Sequence, residues 1–310
     1  MMSDANVAYK KIHGYRFGTL KDDAGISKNL RAPLFFKKWH REPEFMDLIE
    51  NTVALDDVVF DLGGNIGYAT LLFSRLVGAK GSVIAVEPSS RNFELLSHNV
   101  DINGISNVTV MQIAIGLHTG EIELNLTDQS NMNSILESAS SVAKELVPCW
   151  NFSELVSELK VSPNFIKMDI EGAETLVIKG MSSFLTETER CSIIMEVHPN
   201  MYGPHNDVTE MFDILQQTGF RVSRLISASH HSLPDWAASK YQPIKVYRSG
   251  NYSRGVYSDV EFEDAIALVK NTEVRSVPLR YTVGNLLKGR FSEKTAKCVR
   301  AILFQKNQHD

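Results

Sequence analysis

The feature that most restricts this chain is a short apolar run ending in glycines: Val58-Val59-Phe60-Asp61-Leu62, then Gly63-Gly64-Asn65-Ile66-Gly67. A buried strand running into such a turn, with a helical pattern behind it to about Leu76, is the opening unit of an open α/β sheet. Glycine lets the backbone turn tightly and lets a ligand approach it closely. Two phosphate-binding readings fail on spacing. The dinucleotide pattern G-x-G-x-x-G, counted from Gly63, needs glycine at Asn65, and counted from Gly64 it meets Ile66 and Ala69. A P-loop needs Gly-Lys-Ser/Thr, which does not follow.

An acid directly before the glycines suits a cationic ligand better than a pyrophosphate. S-adenosylmethionine carries a sulfonium and an ammonium group, and Asp61 would attract both. The second strand, Ser82 to Val86, ends in Val86-Glu87-Pro88. Glu87 stands roughly 20 residues beyond the turn, where an acid can accept both ribose hydroxyls. The cofactor-binding set read this way is Asp61, Gly63, Asn65, Gly67 and Glu87. Gln112 and Ala114 join it at the end of a third strand (Val108 to Ile113), beside the adenine, and Asp169 joins it from the end of the fourth core strand.

Strands and helices then alternate, with further strands at Gly120 to Leu126, Phe165 to Met168, Ser192 to Val197, Phe220 to Ile226 and Ile244 to Tyr247. The expected fold is a mostly parallel, doubly wound, Rossmann-like sheet over 53–250. An N-terminal arm or lid (1–52) precedes it, and a helical C-terminal extension (251–310) follows. Leu34, Phe35, Phe36 and Trp39 mark an apolar cluster in the arm, more in keeping with packing than with an acceptor lid. The stretch from Ser130 to Ser141, with Asn131, Asn133 and Ser134, reads as a loop. In the extension, Lys294 to Phe304 reads as a basic amphipathic helix. Such a helix packs on its own domain or, less often, lies on an anionic membrane.

Two more strand ends carry chemistry. Asp169-Ile170-Glu171 closes the fourth core strand and Glu196-Val197-His198 the fifth. In open α/β sheets ligands bind outside the carboxyl ends of the strands, and residues two apart share a face. His198 is the expected general base because its ordinary pKa lies near working pH, with Asp169 as runner-up. Asp169, Glu171 and Glu196 form an alternative oxygen-rich set for a divalent cation. Glu174 is expected to cap its helix.

At these residues the chain resembles the FkbM-type methyltransferases. The resemblance runs through Val59 to Tyr68, Val86-Glu87-Pro88-Ser89, Asn99 and Asn103, Ile166 to Glu174, and Glu196-Val197-His198-Pro199, covering about 55–220. It implies S-adenosylmethionine as cofactor and a hydroxyl of a sugar, glycan or other natural-product-like small molecule as acceptor. A nicotinamide-dependent oxidoreductase and a non-catalytic module retaining the fold are the rival readings.

Bulk properties agree. A net charge of -5 and 22% charged residues argue against nucleic acid as the main partner. Cys149, Cys191 and Cys298 are too scattered for zinc or redox pairing and point to a reducing, cytoplasmic setting. The start of the chain has no signal-peptide pattern, and homo-oligomerisation stays open.

Overall fold

A computed structural model of the 310-residue chain describes residues 6–31, 41–137, 141–249, 252–273, 275–278, 292–295 and 297–307. The chain starts with a hairpin, β1 (Val7–Ile12) and β2 (Tyr15–Leu20), followed by helices α1 (Ile26–Arg31) and α2 (Pro43–Thr52). The core then runs β3 (Val58–Leu62), α3 (Tyr68–Val77), β4 (Ser82–Val86), α4 (Ser90–Asp101) and β5 (Val108–Met111). A side sheet of β6 (Ala114–Gly116), β7 (Gly120–Leu126) and β8 (Ala143–Asn151) interrupts the alternation. The core resumes with α5 (Phe152–Leu159), β9 (Phe165–Met168), α6 (Glu174–Gly180), α7 (Ser182–Glu187), β10 (Cys191–Glu196) and α8 (Val208–Gln217). The rest comprises β11 (Arg221–Ser227), α9 (Asp235–Lys240), β12 (Lys245–Ser249), β13 (Tyr252–Ser258), α10 (Phe262–Lys270), the hairpin β14 (Arg275–Pro278) and β15 (Ser292–Thr295), and β16 (Val299–Lys306).

The main sheet has nine strands in the order β12-β13-β11-β16-β10-β9-β3-β4-β5. Its half from β5 to β10 is parallel, and the order reverses around β3, which pairs with β4 on one side and β9 on the other. That reversal opens a crevice at the carboxyl ends of the strands. The strands are almost continuously apolar because both faces are covered. Phe60, Leu62, Ile166 and Met168 pack on one side. Val59, Val83, Phe165 and Ile194 pack on the other, with the N-terminal hairpin and helices α2 to α4. The arm is thus part of the second layer of the core.

The expected helix at Lys294 to Phe304 is corrected. Residues 299–306 form β16, which enters the sheet antiparallel between β10 and β11. Val299, Ile302 and Leu303 match a helical spacing, but the segment obeys a period of two. Ile302 and Phe304 join one apolar layer, Ala301 and Leu303 the other. A strand flanked on both sides has no free amphipathic face, so the helix on which a membrane contact was argued does not form. The extension therefore carries a helix, α10, and also contributes β13 and β16 to the main sheet. The aromatic cluster of the arm, Leu287, Lys288, Arg290 and Phe291 lie outside the described residues. The strands β1, β2, β6, β8, β13, β14 and β15 were not foreseen. The three cysteines are buried and form no disulfide. Among the described residues no helix is long and apolar enough to cross a membrane.

Candidate active site

The crevice is a cleft of about 360 Å³, lined by the ends of β3, β4, β9 and β10 together with residues of the arm and the loop 130–135. Its floor is the glycine turn. Gly63 has φ +77, and a Cβ there would come within 2.0 Å of the Asp169 carbonyl oxygen. Gly67 has φ +93, and its added Cβ would meet Leu96 at 2.7 Å. Only a residue without a side chain lets these segments close up.

Glu87 lies where the spacing placed it. Its Oε2 accepts the Asn65 backbone N–H at 2.9 Å, while Oε1 accepts from Ser89 N at 3.1 Å and Asn92 Nδ2 at 3.3 Å. Burial, outweighing these donors, pushes its carboxyl up to about 7. Asn65 sits at φ 50, its side chain 3.4 Å from the Ser130 carbonyl oxygen. Asn92 Oδ1 and Ser130 Oγ, both at this end of the cleft, are buried without a hydrogen-bond partner among the described residues. A ribose and an adenine offer complementary donors and acceptors, so the residues present fit a nucleoside. Ala114 and Ile115 line the cleft and supply apolar surface for a base.

Two expected cofactor contacts are placed elsewhere. Asp61 is fully buried beneath the turn and does not line the cleft. In the β3–β9 register it lies directly opposite Lys167. The Lys167 ammonium sits 3.0 Å from Asp61 Oδ1, and Thr70 Oγ1 donates to Oδ2 at 2.6 Å. Lys167 also donates to the Gly63 carbonyl at 2.7 Å, so the pair braces the turn from below. Burial alone would depress the lysine, but Asp61 and Asp169 hold its pKa raised. The charge of Asp61 is therefore met by Lys167. Gln112 donates to Ser90 Oγ at 2.9 Å and is likewise absent from the cleft wall. The strand it was assigned to ends one residue earlier, at Met111.

At the other end the structure brings together Asp169, Glu171, Glu196 and His198. His198 Nε2 lies 3.4 Å from Glu171 Oε2, 3.6 Å from Glu196 Oε1 and 3.9 Å from Asp169 Oδ1. Its Nδ1 is held at 2.9 Å by Glu174, which is fully buried and also accepts from Tyr202 Oη at 3.1 Å and Gly172 N at 3.1 Å. Glu174 is thus no surface cap; it orients the imidazole. Burial on its own would lower His198, but Glu174, Glu171 and Asp169 carry it to about 9. Among these carboxylates the protonated form of the imidazole is therefore favoured. Glu171 is the group poised near neutral pH: burial foremost raises its carboxyl to about 7. Its backbone is in the left-handed region, φ 51, before Gly172 at φ 96, and Ser134 Oγ donates to its carbonyl at 2.7 Å. Such a conformation in a non-glycine residue costs of order 1–3 kcal/mol and is kept where neighbours enforce it.

The cation set is only partly assembled. One ligand atom each of Asp169, Glu196 and His198 can lie within 4.8 Å of the others. Arg300, however, pairs directly with Glu196, and the imidazolium supplies a second positive charge. Arg41, Tyr68, Lys297 and Arg300 also line the cleft. The sequence offered no signal for the first two, and the last two were read as the polar face of a helix.

Comparison with known proteins matches residues 61–222, just over half of the chain, to the model described as "Methyltransferase FkbM domain". A "Methyltransferase 1" from Beauveria bassiana is 24% identical over 242 residues, 70% of this chain and 91% of the relative. The hexuronic acid methyltransferase AglP of Haloferax volcanii is 28% identical over 171 residues, 55% of this chain and 67% of the relative. The crystal structure of an FkbM methyltransferase from Methylobacillus flagellatus KT overlaps 66% of this chain and 43% of its own, at 18% identity and a TM-score of 0.39, too loose to carry weight. The glycine turn, Glu87 and the paired strand-end acids stand in the segment that the family model covers. The chain belongs to the FkbM family of S-adenosylmethionine-dependent methyltransferases.

Proposed function

We propose that the protein methylates a hydroxyl oxygen on a sugar, glycan or similar small molecule, with Glu171 as the general base. The observation that carries this reading is the juxtaposition of Glu171 and His198, 3.4 Å apart at the reaction end of the cleft. When bound, S-adenosylmethionine supplies an electrophilic methyl group on a sulfonium. Aligning an acceptor oxygen with that group accounts for much of the rate in such reactions. A hydroxyl must also lose its proton, and a base whose pKa lies near working pH does this best. Glu171, ionised above about 7, takes the proton. The His198 imidazolium, fixed by Glu174 on its far side, offsets the charge of the surrounding carboxylates while Glu171 is ionised. The two titrate as one unit with the groups around them. The hexuronic acid methyltransferase among the relatives supports a sugar as acceptor.

The test is to incubate the purified protein with S-adenosylmethionine and a panel of uronic acids, neutral sugars and glycolipid headgroups. Mass spectrometry detects the added methyl and NMR locates it. Methyl groups on oxygen are expected. Transfer only to nitrogen or carbon would overturn the proposal.

A further inference from the structure

We infer that the N-terminal arm supplies a carboxylate clamp to the cofactor site: Arg41, acting with the start of α3, holds the methionine carboxylate of S-adenosylmethionine. Arg41 lies outside the segment matched by the family model, in the wall of the same cleft. Its guanidinium Nη1 is buried and has no hydrogen-bond partner among the described residues, although the side chain as a whole is 28% exposed. A buried guanidinium nitrogen without an acceptor is costly unless something fills that position. Arginine favours carboxylates because its planar fork matches their geometry.

The location selects the ligand. The Arg41 backbone N–H donates to Tyr68 Oη at 3.1 Å, and Tyr68 Oη lies 3.4 Å from the Arg41 carbonyl. Tyr68 is the first residue of α3, directly after Gly67. Tyr68 and Ala69 line the cleft, so the first turn of this ten-residue helix faces it. The positive end of a helix and its unbonded N–H groups favour an anion there. The Arg41 backbone is therefore tied to the helix that follows the glycine turn.

The neighbouring charges are matched one to one before a ligand enters. Arg254 Nη1 pairs with Glu44 at 2.5 Å, and Arg300 pairs with Glu42 and Glu196. The Arg41 Nε lies 3.6 Å from Glu42 Oε2, which leaves Nη1 directed elsewhere. Three arginines thus balance three glutamates. An amino acid moiety entering as a zwitterion adds no net charge.

The experiment compares two ligands that differ at this group. S-adenosylhomocysteine has the amino acid carboxylate, and 5′-methylthioadenosine lacks the whole amino acid head. Calorimetry on the full chain and on Arg41→Gln is expected to show S-adenosylhomocysteine affinity falling about 10- to 100-fold. Affinity for methylthioadenosine should be unchanged, which also reports that the nucleoside site remains folded. Arg41→Lys should recover part of the loss. Equal losses for both ligands, or none for either, would overturn the assignment. So would a variant that binds both normally but shows a raised KM for the acceptor alone; the carboxylate would then be the acceptor's. If the unmodified chain bound neither ligand, the cofactor assignment itself would fail, which is a distinct result.

Discussion

The two ends of the cleft are built in opposite ways. At the nucleoside end, one turn and one acid account for the arrangement: Glu87 is held by Asn65, Ser89 and Asn92, all within 22 positions of it along the chain. At the reaction end, Glu171, Glu174, Glu196, His198 and Arg300 come from β9, α6, β10 and the last strand of the sheet. The first end satisfies a carboxylate mainly with backbone donors. The second crowds carboxylates around a protonated imidazole. A neutral, hydroxyl-rich ligand part suits the former, and proton transfer suits the latter.

The largest effect on stability is expected beneath the boundary between the two ends. Lys167→Met leaves Asp61 as a fully buried carboxylate without its counter-charge, a loss of about 3–5 kcal/mol. The double variant Asp61→Asn with Lys167→Met should recover much of it in chemical denaturation. If the single variant were as stable as the parent, the brace under Gly63 would be of no consequence and Asp61 would return as a cofactor contact.

At the reaction end, Glu171→Gln is expected to slow turnover by about 10²- to 10⁴-fold while S-adenosylhomocysteine affinity stays within about twofold. Single-turnover rates and calorimetry separate the two quantities. An equal fall in affinity would erase the division between the ends. With the base titrating near 7, kcat in the unmodified chain should fall as pH drops from 8 to 6, because Glu171 becomes protonated.

Glu87→Gln is the matching change at the nucleoside end. Hydrogen bonds to a charged group contribute about 1.5–3 kcal/mol, so affinity should weaken about 10- to 100-fold. Because burial raises Glu87 to about 7, affinity in the unmodified chain should rise from pH 6 to 8, and the glutamine variant should lose that slope. The sign for stability is the reverse. The folded state binds the proton more tightly than the unfolded chain, so between about 4.5 and 7 this group's contribution falls as pH rises. A pH slope in affinity that survives the substitution would assign it to another group.

What was legible in the sequence divides along the same line. The positions of Gly63, Gly67 and Glu87 were legible because they depend on local backbone shape and on a fixed count from one strand end to the next. The strand ends Asp169-Ile170-Glu171 and Glu196-Val197-His198 were also legible, since a parallel sheet gathers such ends at one edge. Their roles were not. Whether His198 or Glu171 is ionised depends on Glu174 and on burial, properties of packing between segments distant along the chain. Asp61 looked like a ligand contact because register is invisible to a one-dimensional reading; its partner stands 106 positions away. Residues 299–306 misled for a related reason. A run buried on both faces carries no polar alternation to separate strand from helix.

The smallest expected effect is at Gln112, and it discriminates most sharply between position along a strand and position in space. Its neighbour in the fold, Asn92, is buried in the cleft wall with Oδ1 unmet, whereas Gln112 reaches Ser90 and Glu145 on the far side of the same loop. Gln112→Ala should change S-adenosylhomocysteine affinity less than about twofold and stability by about 0.5 kcal/mol or less, as surface substitutions do. Asn92→Ala removes a donor to Glu87 and to the Ser130 carbonyl, and should weaken affinity several-fold more than the Gln112 change. Calorimetry on the two variants, run side by side, decides it. If Gln112→Ala proved the more damaging, the adenine would lie against the end of β5 and not between Asn92 and the loop, and the nucleoside end would have to be redrawn around it.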